Sequence, residues 1–208
     1  MQKQSSSVHE GFTKNYAANN PPWDIGRPAA PFIAVADQVT SPVLDSGCGT
    51  GETALFFAAR GHQVTGIDFV EEAIRRARAK AVERGLSVEY LVRDAMTLIN
   101  WDERFASVID SGLFHIYSGT DRWNYVKGLA HVVRPGGRLF LYCFSNEEPA
   151  PGGGVSRQEL YDAFADGWDV ESVQSVRGEI NPAYTAEFPG EFPKGGPKMQ
   201  FAIIRRKE

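Results

Sequence analysis

A chain of 208 residues with a formal charge of −4 carries no basic footprint for nucleic acid or an anionic membrane, and suits a small neutral or apolar ligand. At 42% hydrophobic and 23% charged, it has the composition of one globular domain with a sizeable core. Two cysteines, Cys48 and Cys143, build no disulfide framework, and no run reaches membrane-spanning length, so a cytoplasmic protein is expected.

Residues 1–20 are polar and rich in Ser, Gln and Asn, which predicts a mobile N-terminal arm. PPWDIGRPAAPF then leads into a short helix over about 29–38. From Pro42 onward, strand-like apolar runs alternate with helical patterns. Val43–Asp45 is a strand, followed by a glycine turn and a helix over Glu52–Arg60 that Gly61 closes. Gln63–Phe69 is the second strand. Val70–Arg84 is a helix with Ala73, Ile74, Ala77 and Ala81 on one face. Ser87–Arg93 and Phe105–Asp110 are the third and fourth strands, and Thr120 is placed to cap a helix carrying Trp123, Val126, Leu129 and Val133.

After the Arg134-Pro-Gly-Gly turn, RLFLYCFS (138–145) reads as a buried strand. Ser156 and Glu159 form a capping box for a helix over about 157–166. Two last strand-like runs, 169–180 and 199–207, are joined by NPAYTAEFPGEFPKGGP, too long for a hairpin turn and expected to act as a substrate lid over 181–197. The expectation is a single α/β domain over 1–208: a doubly wound, Rossmann-like sheet of seven strands, mostly parallel, with an antiparallel C-terminal strand.

In such sheets ligands sit beyond the carboxyl ends of the strands. VLDSGCGTGE (43–52) lies there, and Gly47, Gly49 and Gly51 remove side chains that would block a ligand. The spacing is G-x-G-x-G rather than the dinucleotide G-x-G-x-x-G, with Asp45 on one side and Glu52 on the other. Two carboxylates disfavour a pyrophosphate and suit a cationic group such as an ammonium. Asp68 ends the second strand, where a carboxylate can accept both ribose hydroxyls, and Asp94 ends the third. Three acids at adjacent strand ends describe a pocket for a nucleoside with a cationic tail.

With VLDSGCGTGE, VTGIDF, VRDAM, FASVIDSGLFHIY and RPGGRLFLYCFS in this order, roughly residues 40–146 resemble the class I S-adenosylmethionine-dependent methyltransferases. PPWDIGRP, DSGLFH and FPGEFPKGGP are similar to the thiopurine methyltransferase-like and mycobacterial heterocyclic-toxin methyltransferase branch. The resemblance implies S-adenosyl-L-methionine as cofactor, its methionine portion held by Asp45 to Gly51 and covered by Trp23. It further implies ribose on Asp68, with adenine against Asp94 and the Ala95 N–H. Phe69 and Met96 count with the cofactor residues. It implies methyl transfer to O, N or S of a small apolar, heteroaromatic acceptor, in detoxification or secondary metabolism.

Asp110 at the fourth strand end is expected to face the methyl donor, and His115 is a candidate general base, with a packed, pocket-lining histidine as the alternative. Phe114, Tyr117, Phe188 and Phe192 are candidates for an aromatic acceptor pocket, whereas Cys143 reads as core. No His/Cys/Asp cluster has metal-ligand spacing. Two rival readings stay open at this stage: a nicotinamide-dependent oxidoreductase, and a non-catalytic module that binds S-adenosylmethionine.

Overall fold

The computed structural model describes residues 2–18, 21–149 and 153–208. Seven strands form one sheet: β1 (Val43–Ser46), β2 (Val64–Asp68), β3 (Glu89–Val92), β4 (Phe105–Ser111), β5 (Val133–Phe144), β6 (Trp168–Arg177) and β7 (Lys198–Arg206). Their order is β3-β2-β1-β4-β5-β7-β6, and β7 runs antiparallel to both neighbours. The chain steps outward from β1 to β3, then returns to lay β4 on the other side of β1, so a crevice opens between the carboxyl ends of β1 and β4.

Alternation along the strands divides the core between the two faces. Leu44, Val108, Leu139 and Leu141 pack with Tyr125, Leu129 and Leu160 from helices α5 (Gly119–Val132) and α6 (Arg157–Ala163). Val43, Ile109, Phe140 and Tyr142 face the other way. They meet Phe32 of α2 (Ala30–Ala34), Leu55 and Phe57 of α3 (Glu52–Ala58), and Ile74 and Ala77 of α4 (Glu71–Glu83). The expected capping box is formed: the Glu159 N–H donates to Ser156 Oγ and the Ser156 N–H to Glu159.

Several boundaries differ from the sequence expectation. The expected mobile arm carries helix α1 (Gln2–Ala17); Met1, Asn19 and Asn20 lie outside the described residues. Phe12 and Tyr16, four apart, share one helix face and pack beside Phe69, Val70 and Ala73, with Tyr16 buried. The Ser118 residue, not Thr120, holds the N-cap position of α5, with its side chain unused. The Arg134–Gly137 turn is absorbed into β5 as an irregularity in its pairing with β4. The connector after β6 contains a short helix, α7 (Pro182–Glu187).

Gly51 shows how tightly the turn after β1 is seated. Its φ is +85°, and a Cβ there would stand 2.3 Å from Tyr90 Oη and 2.9 Å from Ala77 Cβ. Gly51→Ala is therefore expected to destabilise the fold by about 2 kcal/mol or more, measured as a lower denaturation midpoint.

Candidate active site

A cavity of about 760 Å³ fills the crevice at the carboxyl ends of β1, β2, β4 and β5. Its floor is the glycine turn. Asp68 holds that turn in place, with Oδ2 accepting the Gly49 N–H at 3.0 Å and Oδ1 the Val70 N–H at 2.8 Å. Gly49 has φ +54°, and a Cβ there would come within 2.7 Å of Tyr16 Oη, so the tyrosine roofs bare backbone. Trp23 Nε1 donates to Tyr16 Oη at 3.0 Å, and Phe12 packs between Trp23 and Phe69. Trp23 and Phe69 line the cavity, together with Phe12 and Tyr16, which were not foreseen. Their only sequence signal is the four-residue spacing within a polar arm.

Asp45 is 1% exposed, and neither of its carboxylate oxygens has a hydrogen-bond partner among the described residues. Burial raises its pKa to about 7; the nearby Ala54 main chain, which makes no hydrogen bond to it, offsets this only in part, and the charges of Asp110 and Asp68 raise it further. Glu52, on the far side of the turn, is neutralised by Lys80 at 2.8 Å and Arg84 at 2.9 Å. One uncompensated buried carboxylate, rather than the expected two, therefore awaits a cationic group. Gly47 and Gly49 leave backbone beside it, and this arrangement fits the aminoacid end of S-adenosylmethionine.

On the third strand end, Ala95 lines the cavity, while Asp94 Oδ1 accepts the Met96 N–H at 2.9 Å and caps a 3₁₀ turn over Ala95–Asn100. Met96 packs partly buried against the core. Asp110 corrects the sequence expectation more sharply. It is fully buried, Oδ1 accepts the Leu113 and Phe114 N–H groups at 2.9 and 3.1 Å, and Oδ2 accepts the Tyr125 hydroxyl at 2.9 Å. Its carboxylate is turned into the protein, where burial lifts its pKa to about 6 against those three donors. It holds the DSGLFH turn; it does not line the cavity wall.

That turn delivers His115 and Tyr117 to the cavity. His115 stacks on Phe144 with ring centroids 4.4 Å apart, and its Nδ1 accepts the Phe144 N–H at 3.4 Å. Burial, aided by the charge of Arg122, lowers its pKa to about 3. Phe114 instead is fully buried against Phe164, under the Arg122 guanidinium, and is core. Phe192 lines the cavity beside Phe144, whereas Phe188 is 46% exposed and stacks on Tyr184. Tyr142 and Phe144 complete the aromatic wall. They alternate with buried Cys143 on one strand, a period-2 signal that was present in RLFLYCFS. No cluster of three or more His, Cys, Asp or Glu side chains among the described residues could hold a metal ion, and no helix among them is long and apolar enough to cross a membrane.

A family model described as a methyltransferase domain matches residues 43–137. The 2-heptyl-1-hydroxyquinolin-4(1H)-one methyltransferase of Mycobacteroides abscessus is 33% identical over 187 residues, covering 85% of this chain and 81% of that protein. A solved structure described as converting a disulfide bond into a thioacetal group in echinomycin biosynthesis is 32% identical. It superposes with a TM-score of 0.81 over 95% of this chain and 92% of the other. The fold also matches the 1,6-didemethyltoxoflavin-N1-methyltransferase of Burkholderia thailandensis, with bound S-adenosylhomocysteine, at a TM-score of 0.74 and 20% identity. That match covers 100% of this chain and 90% of the other.

Asp45 gives a test with a definite sign. Because its folded pKa lies above the unfolded value of 3.8, the Asp45 contribution to stability falls as pH rises from 4 to 7 and does not recover above. Asp45→Asn is therefore expected to raise the stability of the ligand-free protein by roughly 2–4 kcal/mol at pH 8 and by little at pH 4. The same variant is expected to lose S-adenosylhomocysteine binding at least tenfold, read by calorimetry.

Proposed function

Because the chain belongs to the class I S-adenosylmethionine-dependent methyltransferases, we propose that it methylates O, N or S of a small, apolar, heteroaromatic acceptor in detoxification or secondary metabolism. The observation that carries this reading is the continuity of one cavity from the uncompensated Asp45 carboxylate to the aromatic wall of Tyr142, Phe144 and Phe192. One end suits a cation and the other a flat apolar ring. The hydroxyquinolone methyltransferase of M. abscessus and the echinomycin protein support a ring-shaped or sulfur-bearing acceptor.

The cofactor supplies an electrophilic methyl group on a sulfonium. The chain's own residues bind, orient and dry the site. On this reading Asp45 pairs with the ammonium, Asp68 accepts from the ribose while holding Gly49, and the Ala95 N–H and Asp94 face the adenine. Trp23 and Tyr16 cover the methionine end and exclude water. Positioning and desolvation of a nucleophile account for most of the rate in such a displacement. The connector over 181–197 acts as the acceptor lid. It is tied to the cofactor side because the Asn181 N–H donates to the Pro22 carbonyl at 2.8 Å and Arg27 pairs with Glu179.

A labelled-methyl screen of phenols, thiols and N-hydroxy heterocycles is expected to give product with at least one heteroaromatic class; S-adenosylhomocysteine binding without product from any class would sink the reading. For the lid, Phe192→Ala is expected to raise the acceptor KM about tenfold through lost apolar contact, with cofactor Kd nearly unchanged. Phe188→Ala, on the outer face, is expected to change neither. Equal effects of the two would remove the lid assignment.

A further inference from the structure

β5 outruns its neighbour. β4 pairs with β5 as far as Ser111 and Tyr142, and the Gly112 N–H closes the ladder on the Tyr142 carbonyl at 2.8 Å. Two residues further on, the Phe144 N–H has no strand to meet, and His115 Nδ1 takes it. A main-chain N–H can only donate, so Nδ1 of the neutral ring carries no proton and Nε2 does. Nε2 has no partner among the described residues, and the ring lines the cavity. His115 therefore presents an N–H to the acceptor, not a lone pair. Protonating Nδ1 would set two donors against each other, in line with the low pKa of the ring.

The remaining charged or titratable groups on the acceptor side are also unavailable as bases. Arg122 donates to the Tyr117 carbonyl and to Glu159, and Glu159 also accepts the Ser156 N–H. Glu179 is paired with Arg27. The hydroxyls of Tyr117 and Tyr142 are held protonated by burial. On the cofactor side, Asp45 is reserved for a cation and Asp68 is engaged by two N–H groups.

We propose, on the methyl-transfer reading above, that this cavity abstracts no proton and takes acceptors already ionised, an aromatic thiolate or oxyanion, with His115 Nε2–H donating to the anion. The acceptor's lone pair forms the bond to the methyl carbon as the carbon–sulfur bond breaks, and that bonding pair leaves with sulfur. An anion and a sulfonium cation become two neutral products, and no proton is transferred. The substrate class is set accordingly: planar heteroaromatic acids whose own pKa lies near or below neutrality.

The test uses ring-substituted thiophenols graded in acidity, with S-adenosylmethionine saturating so that Asp45 stays ionised. Each pH profile of kcat/KM is expected to turn at the pKa of its own acceptor. His115→Gln, which keeps an N–H but cannot act as a base, is expected to stay within a few-fold of wild type, while His115→Leu raises KM about tenfold or more. Independently of turnover, a nitrothiophenol bound to the wild-type complex with S-adenosylhomocysteine is expected to show the thiolate spectrum, with its pKa lowered by at least one unit. A single inflection near neutrality shared by all acceptors and lost in His115→Gln would overturn the proposal, as would a bound neutral thiol. Either result leaves methyl transfer itself intact. Failure of every acceptor to bind or react would remove both.

Discussion

The site is organised around one carboxylate that the protein leaves uncompensated. Asp68 and Asp110 are buried on the two strands that flank β1, and each is met by main-chain N–H groups. Asp45 sits between them on β1, equally buried, with no donor on either oxygen among the described residues. An unpaired buried charge is among the costliest features a core can hold, so its complement has to come from outside. The neighbouring geometry serves that demand. The glycine turn bares its backbone, Asp68 fixes the turn, and the Tyr16–Trp23 pair shields it.

The same chemistry, used inwardly, explains the second acid. Asp110 spends its oxygens on the turn that follows it and on Tyr125, whose hydroxyl also lies 3.2 Å from Ser46 Oγ. This fixes α5 against the ends of β1 and β4 and sets where His115 emerges. Asp110 acts on the site through the backbone it holds, and is a positioning residue. Two aspartates one ladder rung apart thus divide the work: one is left open to a ligand, the other is closed onto the fold.

The fold was legible because its signals are local and repetitive: alternating apolar runs, Gly stops after helices, and a Ser156–Glu159 capping box. The cofactor floor was legible for a similar reason, since G-x-G-x-G between a strand and a helix allows few alternatives. What could not be read depends on which way a side chain turns once elements meet. Asp45 and Asp110 are both acids at strand ends, and only the donors supplied by residues 113, 114 and 125 distinguish them. Glu52 was expected to add negative charge, but Lys80 and Arg84, from a helix that packs beside it, cancel it. Phe188 and Phe192 share one connector and have opposite fates, because the chain turns between them. The role proposed for His115 turns on an end-of-strand N–H, which becomes visible only when β5 is seen to outlast β4.

These parts combine into an electrostatic sequence. The cavity offers an unpaired carboxylate at Asp45 and an aromatic wall at Tyr142, Phe144 and Phe192. On the proposed reading, a bound sulfonium places positive charge toward the aromatic wall, in a dry space where Coulomb attraction is several times stronger than in water. An anionic acceptor gains from that field and from the His115 N–H, and loses both attractions once methylation neutralises it. The proposed arrangement thus binds the charged reactants together and lets the neutral product go, with no proton to be moved. The Arg27–Glu179 pair and the Asn181–Pro22 bond join the segment around Trp23 to the connector proposed as the acceptor lid.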